Sequence, residues 1–479
     1  MWPPRSHWHA PLRARYSWAI SSTAGRAGFV NHRARHELLS TRWVSTVTGR
    51  FPLPGLCAPS EPAGLFLLAR ELVLKAMKFV HTLLRSLRRR ADRQKRQGQL
   101  LVTLDFPPGH TGGIARYYAD LAFFGGGRIF VLTGRCRGSG AFDEQQPYRV
   151  TRVRLPSSLW FGSVIVAKVV TACAVTIQAL LNVILEGRGA IVAGHWFLAP
   201  GLCLVARICR RRSAVILHGG ELSRFESQPR LQRAFCWMLN RLDRVVVNSL
   251  YTERQFVRLG LRAEKVIVLT PGVDADKIAA SAGDSSELSC SRGASQAVRL
   301  LTVGTLVRRK GHDMVLRALA HLAPRYERLG YVVVGDGPNR CALEALASEL
   351  RVSDRVRFLG RLADGETYRE MAKCDVFVMP CRLLKERFGE EGFGIVFLEA
   401  AALGKPVVAG RSGGAPEAVV DGDTGILVDP ESVVSLAQAL ERLILDGDLR
   451  GRLGAAGLLR VRKSFQWTNR VDDFLSRLS

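Results

Sequence analysis

Short apolar runs punctuate the chain from residue 99 onward, and helical stretches separate several of them. The first, Gln99-Leu100-Leu101-Val102-Thr103-Leu104, reads as a buried strand. Pro107-Pro108-Gly109 and Thr111-Gly112-Gly113 follow it, and a helix is expected from Ile114. Further runs lie at 129–132, 190–193, 214–217, 244–247 and 265–269. A segment rich in Ser, Ala and Gly, without period, occupies 276–297 and reads as a linker. A second series then begins, with strands expected near 298–303, 330–335, 355–359, 375–379, 406–409 and 425–428. Apolar runs of this length alternating with helices indicate βαβ units and parallel sheets. The expected fold class is α/β, with two doubly wound, Rossmann-like domains at 98–275 and 298–460 facing across a cleft. Such a cleft is a usual place for a ligand.

Two stretches depart from this pattern. Leu159 to Leu185 is the most apolar part of the chain, interrupted by Lys168, and is long enough to span a bilayer. Its place between strand-like segments favours a buried helix of the α/β domain. Residues 1–97 form a basic extension. The first sixty or so, rich in Arg, Ser, Trp and Pro, read as disordered or as the product of a start called too early, with Met77 a candidate true start. Their composition also fits an organelle transit peptide. Over 62–97, Leu65, Leu68, Leu72, Ala76, Phe79, Val80, Leu83, Leu84 and Leu87 recur at helical spacing, and Arg88-Arg89-Arg90, Arg93, Lys95 and Arg96 follow. A basic amphipathic helix of this kind lies in a membrane interface, or packs on the main body with a solvated charged end.

Composition narrows the field. The 479 residues are 47% apolar, enough for full cores in two or three domains. The formal net charge is +27, with 18 Lys or Arg against 4 Asp or Glu in the first hundred residues. This balance suits anionic partners, meaning phosphate, acidic lipid or nucleic acid. The bias of 58 Arg to 11 Lys is equally what codon composition produces. No nucleic-acid module is recognisable, so no specific nucleic-acid partner is expected. The ten cysteines form no C-x-x-C pair and no His/Cys set with zinc spacing, so free thiols, no metal site and no cofactor are expected. Without a signal peptide and cleavage site, the expected location is cytoplasmic, with peripheral contact at the inner face of an anionic membrane.

Two segments carry candidate chemistry. Gly304 ends an apolar run, and Arg308-Arg309-Lys310-Gly311-His312 leads into a helix. Backbone N–H groups and the helix dipole at such a junction favour an anion, and a diphosphate fits. A solvated basic turn would look the same. The second segment is Glu391-Gly392-Phe393-Gly394-Ile395-Val396-Phe397-Leu398-Glu399. Its glycines let backbone approach a ligand, Gly394 and Ile395 can offer N–H groups to phosphate, and Glu399 can accept both hydroxyls of a ribose diol. On spacing alone, two surface acids near a helix N-terminus remain the stronger reading.

Residues 99–479 resemble glycosyltransferase family 4, the retaining group 1 glycosyltransferases of GT-B architecture. The resemblance rests on Gly304 to His312, Val334-Gly335-Asp336-Gly337-Pro338, Glu391 to Glu399, Gly404-Lys405-Pro406, Gly413-Gly414-Ala415-Pro416-Glu417 and Asp421-Gly422-Asp423-Thr424-Gly425, in that order. It implies that a sugar moves from a nucleotide-diphosphate donor to a hydroxyl of a glycan, lipid-linked or small-molecule acceptor, as in polysaccharide biosynthesis, without a metal. Glu391 then contacts the donor sugar and Glu399 the ribose, with the backbone of Phe393, Gly394 and Ile395 near sugar and phosphates. Lys310 neutralises the diphosphate. Many members carry Arg directly after the glycine that is Gly304, where this chain has Thr305, so Arg309 is assigned as the partner of Lys310, with Arg308 in reserve. In the first domain, Gly112 and Gly113 resemble the glycine loop facing the diphosphate. His218, in Leu217-His218-Gly219-Gly220-Glu221, resembles the histidine near the reacting centre, and His195 has a weaker claim of that kind. Residues 461–479 resemble the closing helix that returns to the first domain.

Three rivals fit less well. A nicotinamide dehydrogenase needs a third glycine where Arg340 stands. A pyridoxal-dependent phosphorylase needs a Schiff-base lysine motif that is not seen. A non-catalytic nucleotide-sugar or glycan-binding protein on the same fold is the alternative to an enzyme, and the pair Glu391 and Glu399 together with Arg309-Lys310 argues against it.

Overall fold

The computed structural model describes residues 98–478 apart from residue 111 and segments 156–163, 222–227, 284–296 and 385–390, together with Thr82 and Ser86. Apart from those two, the residues of the expected amphipathic helix over 62–97, and the candidate start Met77, lie outside the described residues.

Seven strands build the first sheet: β1 (Gln99–Val102), β2 (Ile129–Gly134), β3 (Val150–Val153), β4 (Ile191–Ala193), β5 (Ser213–Leu217), β6 (Arg244–Val247) and β7 (Val266–Val268). Six build the second: β8 (Val298–Val303), β9 (Leu329–Val334), β10 (Val356–Gly360), β11 (Val376–Met379), β12 (Val407–Gly410) and β13 (Gly425–Val428). The orders are β3-β2-β1-β4-β5-β6-β7 and β10-β9-β8-β11-β12-β13. Every pairing between these strands is parallel, with Leu101 opposite Val131 and Val192 in the first sheet and Leu301 opposite Val332 and Phe377 in the second. Helices cover both faces, which is why these strands read as continuous apolar runs. Each strand expected from the sequence is present within a residue or two. The addition is β3, Val-Thr-Arg-Val, a half-buried edge strand whose polar alternation hid it.

Strand order reverses between β1 and β4 in the first sheet and between β8 and β11 in the second. Chain leaving two neighbouring strands in opposite directions opens a crevice at their carboxyl ends. The loops there carry Gly112-Gly113 and His195 in the first domain, and Gly304–Lys310 and Glu391–Glu399 in the second.

One difference from the sequence reading concerns the connections. The expected linker 276–297 starts inside a helix, Ala275–Ala282, capped by the Asp274 side chain on the Lys277 N–H at 3.0 Å. Ile278 and Ala282 of that helix are buried in the core of the second sheet. The chain returns through residues 464–467: Val273 N–H donates to the Phe465 carbonyl at 2.8 Å, so the outgoing and returning strands of chain run side by side. Helix Trp467–Leu478 then buries Trp467, Val471, Phe474, Leu475 and Leu478 in the core of the first sheet, against helix Gly113–Gly125.

The apolar stretch also requires a correction. Helix Val164–Glu186 is not a buried helix. Its inner face, with Val175, Ala179, Val183 and Ile184, packs in the first core, but the outer face leaves Val169, Ile177 and Leu185 more than half exposed at 56%, 61% and 54%. Among the described residues it is the one helix long and apolar enough to cross a membrane.

Trp467 locks the return crossing. It is fully buried, edge-on to Tyr117 with ring centroids 5.2 Å apart, and lies over Gly272, where a Cβ would come within 2.9 Å of its ring. Trp467→Ala is expected to cost about 3–5 kcal/mol in chemical denaturation, the usual range for emptying such a site. A loss below about 1 kcal/mol would show that the crossing does not depend on this ring.

Candidate active site

Glu391 follows β11 and lies in the crevice at the carboxyl ends of β8 and β11. Its Oε2 accepts from Lys310 Nζ at 2.6 Å and from Arg309 Nη1. Lys310 closes a single tight helical turn, Arg308–Lys310, after β8, and its side chain runs beside Gly304. Burial pushes the Glu391 carboxyl up, but Lys310 and then Arg309 outweigh that effect and hold it below the usual carboxylate range. Arg309 and Lys310 thus converge on one carboxylate oxygen. Arg308 turns elsewhere, lining a cavity of about 180 Å³ with Val307, His312, Asp313 and Asn339.

Gly394 leads into helix Ile395–Ala402 with φ +91°, a conformation that suits glycine. Phe393 is buried beneath the loop. Glu399 sits just over a turn into the helix and is 2% exposed. Arg116 Nη1 donates to its Oε1, and Tyr368 Oη reaches the same oxygen at 3.4 Å.

The first domain meets this loop closely. A Cβ on Gly392 would sit 2.4 Å from the His218 carbonyl oxygen and 2.6 Å from Asn248 Nδ2, so only glycine allows this approach. Glu417 accepts from the N–H groups of Leu250 and Tyr251 at 2.8 and 2.7 Å, pairing its charge with the N-terminus of helix Leu250–Arg258 across the cleft. Gly112 and Gly113 begin helix Gly113–Gly125, and a Cβ on Gly113 would touch the Ile395 side chain at 3.9 Å. Thr111, expected beside them, lies outside the described residues.

His218 Nε2 shares a hydrogen bond with Tyr118 Oη at 2.9 Å, and the ring lies edge-on to Tyr117 and Tyr118. Burial first, then His195, pushes its pKa down to about 4 against the pull of Asp105, so the imidazole is neutral at neutral pH. Glu221 accepts from the His218 N–H at 3.1 and 3.2 Å and fixes the turn. His195 Nε2 lies 3.2 Å from Asp105 Oδ2, and that contact is the main reason Asp105 is held below its usual range. Sequence reasoning overlooked Asp105, Arg116, Tyr368 and Tyr118. Arg116 carried one signal, its place one turn beyond the glycine loop.

Known proteins resemble this chain in both sequence and fold. Residues 293–460 match the model of glycosyl transferases group 1, and residues 111–277 match that of glycosyltransferase family 4. A GDP-mannose-dependent alpha-(1-6)-phosphatidylinositol monomannoside mannosyltransferase of Mycolicibacterium smegmatis is 34% identical over 382 residues, 78% of this chain and 95% of that protein. The protein of that name from Mycobacterium tuberculosis H37Rv is 34% identical over 398 residues, with 78% and 97% covered. Among solved structures, HepE of Anabaena with UDP and glucose aligns at TM-score 0.65 and 25% identity, over 80% of this chain and 99% of that one. The chain belongs to the group 1, family 4 glycosyltransferases of GT-B fold. It is a glycosyltransferase that uses a nucleotide-sugar donor.

Two buried imidazoles give a pH signature. His312 is also pushed down to about 4, again mainly by burial. An unfolded histidine binds its proton near pH 6.5. Between about 6.5 and 4 the unfolded chain therefore binds protons that the folded chain refuses, and stability falls as pH drops through that window. Denaturation midpoints at pH 7.5 and 5 should differ less in His218→Gln than in the parent chain. An equal difference would mean that His218 is not held neutral by the fold.

Proposed function

We propose that the chain transfers mannose from GDP-mannose, with retention of anomeric configuration, to a hydroxyl of a phosphatidylinositol-mannoside type of glycolipid. The observation that carries this reading is the buried Glu391 held between Lys310 and Arg309 at the crevice where the two domains meet. The donor and acceptor follow from the names of the relatives that match along nearly their whole length.

In this reading Glu391 contacts the hydroxyls of the donor sugar, and Glu399 accepts the ribose diol. The N–H groups of Gly394 and Ile395, together with Gly112 and Gly113, face the sugar and phosphates, with Phe393 beneath. Cleavage of the glycosyl–phosphate bond builds positive charge on the ring and negative charge on the diphosphate. Lys310, Arg309 and the helix N-termini stabilise the second as it forms. Arg308, directed into its own cavity, is secondary. His218 lies on the face from which the acceptor hydroxyl approaches, and its neutral ring can accept or donate one hydrogen bond. Retention requires that hydroxyl to attack from the side the diphosphate leaves. Closure of the domains limits hydrolysis by water.

A lipid acceptor places the enzyme at a membrane, on the cytoplasmic side where nucleotide sugars are found. The outer face of helix Val164–Glu186 supports a peripheral contact. Val169, Ile177, Leu181 and Leu185 are exposed along it, and Leu204 is exposed on helix Ala199–Ile208, which packs beside it. Exposed Arg207, Arg210, Arg212, Arg230 and Arg233 lie on this helix and the segments that follow. Apolar insertion with adjacent cations suits an anionic bilayer.

Two experiments test the proposal. In a thermal-shift panel of GDP, UDP and ADP sugars, GDP-mannose should give the largest stabilisation, about 2.7 kcal/mol at a hundred times its dissociation constant. Lys310→Ala should mainly lower turnover and Glu399→Ala mainly weaken nucleotide binding. No response to any donor, or full activity in both variants, would contradict the donor assignment. For the membrane, vesicles containing phosphatidylinositol should retain the chain in flotation and neutral phosphatidylcholine vesicles should not. The double variant Ile177→Glu/Leu181→Glu should lose that retention; retention unchanged would remove this face from the contact.

A further inference from the structure

Glu399 belongs to the second domain, and its carboxylate is almost wholly withdrawn from water, with 3% of the side chain exposed. A carboxylate buried so deeply stays an anion only beside a counter-charge. Among the described residues its ion pair is with Arg116, which belongs to the first domain. Helix Gly113–Gly125 starts at the glycine loop, and its first turn aims the Arg116 side chain across the cleft. The guanidinium makes three contacts there. Nη1 donates to Glu399 Oε1 and to Tyr368 Oη, the latter at 3.1 Å, while Nη2 donates to Asp364 Oδ1. It also lies over the Tyr368 ring, 5.6 Å from the centroid.

This fork fixes the carboxylate in two ways. It supplies the charge that the low-dielectric site otherwise lacks. It also engages one oxygen: both described bonds to Glu399 fall on Oε1, and a diol needs a carboxylate of fixed orientation to bind with two hydroxyls at once. Glu399 first, with Tyr368 and Asp364, holds the guanidinium above its already high range, so the cation is permanent. Burial pushes Asp120, one turn along the same helix, up to about 7 against the pull of Arg116, and what charge it carries favours the guanidinium.

We propose that Arg116 is the positioning residue that makes Glu399 a competent ribose ligand, so the donor's ribose is gripped fully only when the first domain has closed onto the second. The proposal rests on the reading of Glu399 as the ribose ligand. It makes ribose recognition a joint property of two domains, although the glutamate that touches the sugar lies in one.

Calorimetric binding of GDP and of 2′,3′-dideoxy-GDP to the full chain tests this. Arg116→Ala should weaken GDP about tenfold, the usual size for a lost charge-assisted bond, and the dideoxy form by less than about twofold. Glu399→Gln should show the same selectivity, and the double variant should be no worse than the poorer single one. Arg116→Lys should restore part of the affinity, because it keeps the charge without the fork; if Arg116→Ala does not fold, the same selectivity read in Arg116→Lys carries the test. Equal weakening of both ligands by Arg116→Ala would make it a structural tie, and tighter GDP binding would make it a competitor of the ribose; either overturns the proposal. If Glu399→Gln itself fails to distinguish the ligands, the fault lies in the ribose assignment.

Discussion

The carboxylate of Glu391 is buried, and it remains an anion because Lys310 and Arg309 lie against it. Removing either partner of such a buried pair typically costs about 3–5 kcal/mol, because the survivor is left uncompensated. The surrounding structure serves this contact. The two cations come from the loop after β8 and the glutamate from the chain after β11, neighbouring strands whose connections leave in opposite directions. The crevice so formed is where strand order alone would place a ligand. The cluster therefore couples local charge balance to the topology of the whole domain.

The first domain completes the site by backbone approach more than by side chains. Gly392 lies against the His218 carbonyl with no room for a Cβ, and Glu417 reaches over to the start of helix Leu250–Arg258. The crossing segments pair at Val273 and Phe465, so the hinge is two strands of chain held together and anchored by Trp467. A closed cleft with a short paired hinge suits a reaction in which water must be kept from a reactive sugar.

Much of this was legible in the sequence, for physical reasons. Strands buried on both faces must be apolar throughout, so Leu300-Leu301 or Val245-Val246-Val247 announce themselves. Glu391, Glu399, Arg309 and Lys310 stood in compact segments whose spacing could be compared with a known family. Other features depend on where distant segments meet. Arg116 and Glu399 are 283 positions apart, and nothing local to either says that they touch. The Asp105–His195 contact likewise joins the ends of two strands that are neighbours only because of the strand order. Helix Val164–Glu186 misled for a different reason: apolar composition shows that a surface avoids water, not whether protein or lipid covers it. The start of the linker was missed because helix Ala275–Ala282 is short and made largely of small residues.

In the proposed function, the charge on Glu391, set between two cations, serves sugar transfer more than nucleotide binding. Glu391→Gln keeps the shape and removes the charge. Steady-state transfer from GDP-mannose, measured beside GDP affinity, separates the two effects. In Glu391→Gln, kcat should fall by about tenfold or more while GDP affinity holds or rises, because the cations are left for the diphosphate. Unchanged kcat, or a loss confined to GDP affinity, would contradict it.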